Sequence, residues 1–329
     1  MSKKRFRNAK KSKSFSEKNS KQINTKYRSE FCLHMLTDGM WLTQQEGLSK
    51  LKEIPEFIRT PSHIYIICRR PRITLDPNSF ESENGFVRGV FKIHKKSSFE
   101  SVEFLEPLQL ENKVFLDCPY PYTDFTFYKT NNEVYSRGKV AGLAHCVPKM
   151  SNFLNLEVLY VGQSYGNQGL RLASERLQNH STLQLIYYET MSFFPDKEIW
   201  LLLLCFKDLL MMRFDGTEKF AFSNEEDIKH TQRIIHTRVT EQQRINFTEA
   251  ALIRYFEPPY NKIFKNQFPE PSHRTYSECY KLDFNAVSVE VETERIQCML
   301  YSEKVLPKWI HNPRFPLYNS EERKSIFEL

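Results

Sequence analysis

Two rhythms of apolar residues run along this chain. Between Asn246 and Asn261, "NFTEAALIRYFEPPYN" places Glu249, Leu252, Ile253 and Phe256 at i, i+3, i+4 and i+7, one stripe of a helix that Pro258 and Pro259 must end. Residues 170–189 are also helical in period, with Leu172, Leu177, Leu183 and Ile186 as apolar positions, and 224–238 are polar and helix-compatible. The second rhythm is extended. "HIYIICRR" (63–70), "GFVRGVFKIHK" (85–95) and "KVFLDC" (113–118) are β-branched and aromatic runs punctuated by Pro, Asn and Gly. "DFTFYKTNNEVYSR" (124–137) alternates on both sides of Asn131-Asn132, which predicts a hairpin. "NLEVLYVGQS" (155–164), "IWLLLLCF" (199–206) and "AVSVEVET" (286–293) predict strands, the second of them buried. "KVAGLAHCV" (139–147) is a further strand candidate, and 31–60 read as mixed and partly helical up to Pro55.

From about residue 138 the order strand, strand, helix, strand, helix, helix predicts an α/β unit over 138–268. A β-rich region over 31–137, with no assigned role, precedes it, and an extension over 269–329 follows. Charge adds a fourth segment. Residues 1–28 hold eleven Lys or Arg against one acid, Glu17, while the whole chain is only +7, so the remainder is net acidic. Rich in Ser and Asn and poor in aliphatics, residues 1–30 are expected to be a disordered basic tail suited to a polyanion such as nucleic acid. A solvated tail without a specific partner is the plainer reading. The seven cysteines are scattered, none in a CxxC pair, which points to reduced thiols in a cytosolic compartment rather than to a zinc or disulfide framework. No apolar run approaches the roughly 20 residues a membrane helix needs, and no apolar signal region opens the chain.

Four pieces carry possible chemistry. Tyr160 lies near a strand end, with Gly162 where a turn is expected; core packing accounts for these equally simply. Arg176 and His180 stand at i and i+4 of the expected helix, either as a functional pair or as a solvated face. Glu249 heads an apolar stripe, although Asn246-Phe-Thr-Glu249 also has the spacing of a capping box. Asn261 follows two prolines and could cap the next turn.

Taken in this order, "YVG" (160–162), "RLQNH" (176–180), "EAALI" (249–253) and "PPYN" (258–261) resemble the GIY-YIG nuclease superfamily over residues 138–268. The resemblance implies an α/β fold with a small mixed sheet flanked by helices. The counterpart of the first family motif is sought at Gly142-Leu143-Ala144, which lacks the tyrosine, and an insertion is expected within 206–237.

The resemblance further implies metal-dependent hydrolysis of phosphodiester bonds, with double-stranded DNA as the expected substrate. One Mg2+ (or Mn2+) would be held by Glu249, since this ion keeps most of its waters and accepts phosphate oxygens. Arg176 would pair with the phosphate, with Arg171 as the competing arginine. Tyr160 would be the general base, His180 would share the proton work or position Tyr160, and Asn261 would orient water. Gly162 and Gln163 would lie against the substrate. The alternatives are a catalytically inert nucleic-acid-binding protein on the same scaffold, and an interaction protein in which Glu249 is only a helix cap.

Overall fold

The computed structural model describes residues 26–107, 113–165, 172–214, 224–237, 239–263, 265, 268, 269, 277–318, 325 and 327. Its first half contains β1 (Ser29–Thr43), α1 (Leu48–Leu51), α2 (Pro55–Arg59), β2 (Ile64–Pro71), β3 (Ile73–Leu75), β4 (Glu81–Glu83), β5 (Phe86–Lys95), β6 (Ser98–Pro107), β7 (Phe115–Asp117), β8 (Asp124–Tyr128) and β9 (Val134–Lys139). There follow α3 (Val140–Ala144), β10 (Leu156–Gln163), α4 (Ala173–Gln178), α5 (Ser181–Phe193), β11 (Lys197–Phe214), α6 (Asn224–His236) and α7 (Glu241–Phe256). The last elements are α8 (Ser277–Lys281), β12 (Ala286–Glu292), β13 (Leu300–Tyr301), β14 (Ile310–His311) and β15 (Arg314–Pro316).

The class is mixed α/β. An eight-stranded sheet runs β13-β10-β2-β11-β1-β12-β14, with β15 also on β12. Its central neighbours are antiparallel, while β12 joins β1 and β13 joins β10 in parallel. Two smaller sheets, β3 to β6 and β7-β8-β9, complete the strands. The run "IWLLLLCF" is apolar without alternation because β11 is covered on both faces. Trp200, Leu202 and Leu204 enter the core that includes Leu252 and Phe256 of α7, whereas Ile199, Leu201 and Leu203 pack with residues of α1, α2, α4 and α5.

Several sequence expectations change. Residues 29–43 form one long strand rather than a partly helical stretch, because β11 and β12 pair with its two edges. Pro55 opens α2, a place where its missing N–H costs nothing. Residues 140–144 are helical, not extended, with Val140, Ala141 and Ala144 turned into the core. The expected tail ends earlier than residue 30: Ser29 and Glu30 are buried at the start of β1, and residues 1–25 lie outside the described residues. The boundaries at 138 and 268 do not separate folding layers, since β1, β2 and β12 from outside them share one sheet with β10 and β11. Within the expected insertion, the structure describes the outer end of β11 and α6. No helix among the described residues is long and apolar enough to cross a membrane.

Candidate functional site

The candidate site is built on the pair β2–β10. Between Val158 and Tyr160 the register shifts, so Leu159 is an extra residue in the ladder. Such a bulge re-aims the side chains beyond it. Past it, Tyr160 faces Ile67 and Gly162 faces Tyr65. Tyr65 and Tyr160 are therefore diagonal neighbours on one sheet face, with ring centroids 6.2 Å apart and stacked at 28°. Gly162 is a strand residue here, not a turn. A Cβ on it would come within 2.5 Å of the Tyr65 ring and 2.7 Å of Tyr160, so the glycine leaves the space that the two phenols occupy.

Residues 170–189 are not one helix. Asn179 and His180 separate α4 from α5, and His180 caps α5 by accepting the Leu183 N–H on Nδ1 at 3.0 Å. Arg176 and His180 thus do not share a helix face at i, i+4; they belong to consecutive short helices. Both nevertheless reach the tyrosines. The buried His180 ring meets Tyr65 edge-on at 5.5 Å and Tyr160 at 5.3 Å, and Arg176 makes a hydrogen-bonding contact with Tyr65. Because Nδ1 accepts, the ring proton sits on Nε2, and His180 faces its surroundings there as a donor. Arg171 lies outside the described residues.

Glu249 arrives from the opposite core. Its helix starts at Glu241, capped by Thr240 and Gln243, so the Asn246–Glu249 spacing is not a capping box and both residues are mid-helix. The Glu249 carboxyl accepts hydrogen bonds from the Gln163 side chain and backbone N–H, and the Gln163 Nε2 also donates to Asn246 Oδ1 at 2.6 Å. Burial pushes the Glu249 carboxyl up to about 7, with the two Gln163 hydrogen bonds opposing the rise. Among the described residues no Lys, Arg or His forms an ion pair with it. Burial likewise raises Tyr65, with the neighbouring Tyr160 adding to the rise and Arg176 opposing it. Tyr160 is raised by burial and then by the Glu249 charge, while Arg176 and the hydrogen bond from Tyr65 pull the other way.

Both polar side-chain atoms of Asn261 are engaged by the backbone of β10. Its Oδ1 accepts the Val161 N–H at 2.9 Å and its Nδ2 donates to the Val161 C=O at 2.8 Å. The Tyr260 N–H adds a bond to the Leu159 C=O at 3.2 Å. Beyond its short pairing with β13, the outer edge of β10 is thus finished by the segment after the two prolines. Asn261 is a positioning residue for the strand that carries Tyr160.

Tyr65 is the residue that sequence reasoning missed. It stands in "HIYIICRR", where strand alternation places it with Ile67, but its partners come from residues about 100 positions away. Gly142-Leu143-Ala144 lies on α3, which packs against β3 and β9. Among the described residues no group of three or more His, Cys, Asp and Glu side chains converges. A half-buried, desolvated carboxylate with no cationic partner among the described residues fits a hard divalent ion that takes its other ligands from water and substrate oxygens. No family model matches the chain, and neither a curated protein nor a solved structure does.

Proposed function

We propose that the Tyr65–Tyr160–Glu249 edge hydrolyses phosphodiester bonds of nucleic acid, with duplex DNA as substrate, on a scaffold like that of the GIY-YIG nucleases. The observation that carries this reading is the convergence of two tyrosines, an arginine, a histidine and a carboxylate without an ion-pair partner among the described residues, from four segments distant in sequence. The tyrosine that the first family motif requires has its counterpart in Tyr65, preceded by Ile64 on the strand beside "YVG".

Glu249 would hold one Mg2+ or Mn2+, which when bound supplies Lewis-acid stabilisation of the phosphate and a source of activated water. Arg176, half-buried beside Tyr65, offers its planar donors to a phosphate oxygen. Tyr160 reaches solvent more than Tyr65 does and is the phenol placed to hold the attacking water. Its raised pKa keeps it protonated at neutral pH, so its action as a base favours alkaline conditions. His180 donates from Nε2 and orients the phenols. Gln163 holds Glu249, and Asn261 holds β10.

The test is cleavage of plasmid and single-stranded substrates with Mg2+ or Mn2+, wild type beside Glu249→Ala. Metal-dependent cutting that vanishes in the variant supports the reading. Binding without cutting, under every metal condition, replaces it with the inert nucleic-acid-binding scaffold.

A further inference from the structure

A cavity of about 410 Å3 opens between the two smaller sheets and α3, and none of its lining belongs to the tyrosine–glutamate edge. Its floor is apolar. Val87 and Phe104 come from the β5–β6 pair and Phe125 and Phe127 from β8, and all four are buried. Neighbouring rings hold this floor in place: Phe104 stacks on Phe91 at 4.6 Å, and Phe125 meets Phe127 at 4.8 Å. Opposite Phe125 and Phe127 in the β8–β9 ladder stand Gly138 and Ser136, whose side chains are too small to cover the rings. Tyr135 is the extra residue where that ladder shifts register, and the bulge turns it into the lining as well.

Gly142 stands at the rim, inside α3, where glycine is a poorer helix former than alanine. No close approach demands it, because a Cβ there would have nothing within 4 Å. Neither the helix nor a neighbouring side chain accounts for this glycine, whereas an open cavity mouth does.

The polar groups of the lining are few. Arg137 is exposed and forms no ion pair among the described residues, whereas Lys139 is engaged by Glu46 at 2.7 Å and by Asp124 at 3.1 Å. Glu106, half-buried on β6, is the one carboxylate of the described lining. Cys146 also lines the cavity and is the only exposed cysteine of the seven. An aromatic floor with a few polar groups around it, in a volume of several hundred Å3, is the form that small-molecule sites take. The apolar floor disfavours a nucleobase, whose polar edge would be left unpaired there.

We propose that this cavity binds a small apolar acid, with its acyl or aromatic body against Phe104, Phe125 and Phe127 and its acidic head on Arg137. The site uses neither Glu249 nor a metal ion, so absence of cleavage in the metal assay would leave it standing.

The test titrates the full chain, in EDTA, with anilinonaphthalene sulfonate, an aromatic body with an acidic head, and displaces the dye with decanoate or decanol. Decanoate should compete roughly tenfold better than decanol, the worth of one hydrogen bond to a charged group. Arg137→Ala should remove that difference by weakening the two anions and leaving decanol unchanged. Gly142→Leu should abolish dye binding at an unchanged or higher Tm, while Gly142→Ala, whose methyl meets only open space, keeps it. Decanoate should also slow alkylation of the Cys146 thiol, read by mass spectrometry of its peptide. Glu106→Gln should leave the affinity for the anions equal or higher. The proposal is overturned if dye binding survives Gly142→Leu, since the dye then sits elsewhere. It is overturned equally if decanol competes as well as decanoate, or if Glu106→Gln weakens binding, which would assign the mouth to a cation or a zwitterion.

Discussion

Gly162 faces Tyr65 across the β2–β10 ladder, and a Cβ added to the glycine would lie 2.5 Å from both the phenol carbon and its oxygen. The Tyr65 ring is buried and cannot swing into solvent. Gly162→Ala must displace Tyr65 or open the strand pair, and overpacking of this kind costs about 1–3 kcal/mol. Urea denaturation should show that loss, and cleavage should fall because both phenols move. Unchanged stability would mean that the ladder yields without strain.

The desolvated carboxyl of the half-buried Glu249 makes stability depend on pH in a defined sense. Its folded value of about 7 exceeds the ordinary 4.5, so between these two the folded chain keeps a proton that the unfolded chain has released. Stability therefore falls as pH rises through that window and levels off above it, a deficit of up to about 3 kcal/mol. Glu249→Gln removes the charge and keeps the shape. In EDTA the variant should be the more stable protein near about pH 8, by about 1–3 kcal/mol, and should lose that advantage below about pH 5. Mg2+ should raise the Tm of the wild type at the higher pH and leave the variant unmoved. An equal Tm difference at both pH values would show that the carboxyl is not desolvated.

Much of this arrangement was legible in local sequence. The strands at 156–163, 197–206 and 286–292 and the Asn131-Asn132 hairpin follow from β-branched runs and turn residues that act over a few positions. The end of α7 follows from Pro258, preceded by Glu257 in the left-handed region at φ 46°. What was not legible depends on distant pairing. "SEFCLHMLTDGMWLT" contains Thr, Asp and Gly in its middle, with a register shift between Thr37 and Gly39, and becomes a strand because β11 and β12 flank it. His180 reads as a helix-face residue in a continuous apolar period; only its bond to the Leu183 N–H makes it a cap. Tyr65 lies in an apolar strand run without a glycine before Ile64-Tyr65 to mark it, and the groups around it come from β10, α4 and α7.

Asn261 offers a test of positioning against chemistry. Asn261→Ala leaves the Val161 N–H and C=O without their partners at a buried edge, at about 1–3 kcal/mol for each group. Equilibrium denaturation should show a loss of about 2–4 kcal/mol together with reduced cleavage. Asn261→Asp keeps an acceptor for the N–H but turns a charged oxygen toward the C=O, so it should not rescue stability. Loss of cleavage at full stability would instead return Asn261 to the water-orienting role suggested by sequence.

Gln163 connects the strand of Tyr160 to the helix of Glu249, and its two hydrogen bonds to the carboxyl oppose the rise that burial causes. Gln163→Leu removes the side-chain bond and the 2.6 Å contact with Asn246 while keeping the backbone N–H. The Glu249 carboxyl then rises further, and a proton competes more strongly with the divalent ion near neutrality. The expected signature is a metal-dependent cleavage profile displaced to alkaline pH by roughly half a unit to one unit, with activity recovered at high pH. A merely structural defect would lower the profile at every pH without moving its midpoint, so the displacement separates a residue that tunes Glu249 from one that only packs against it.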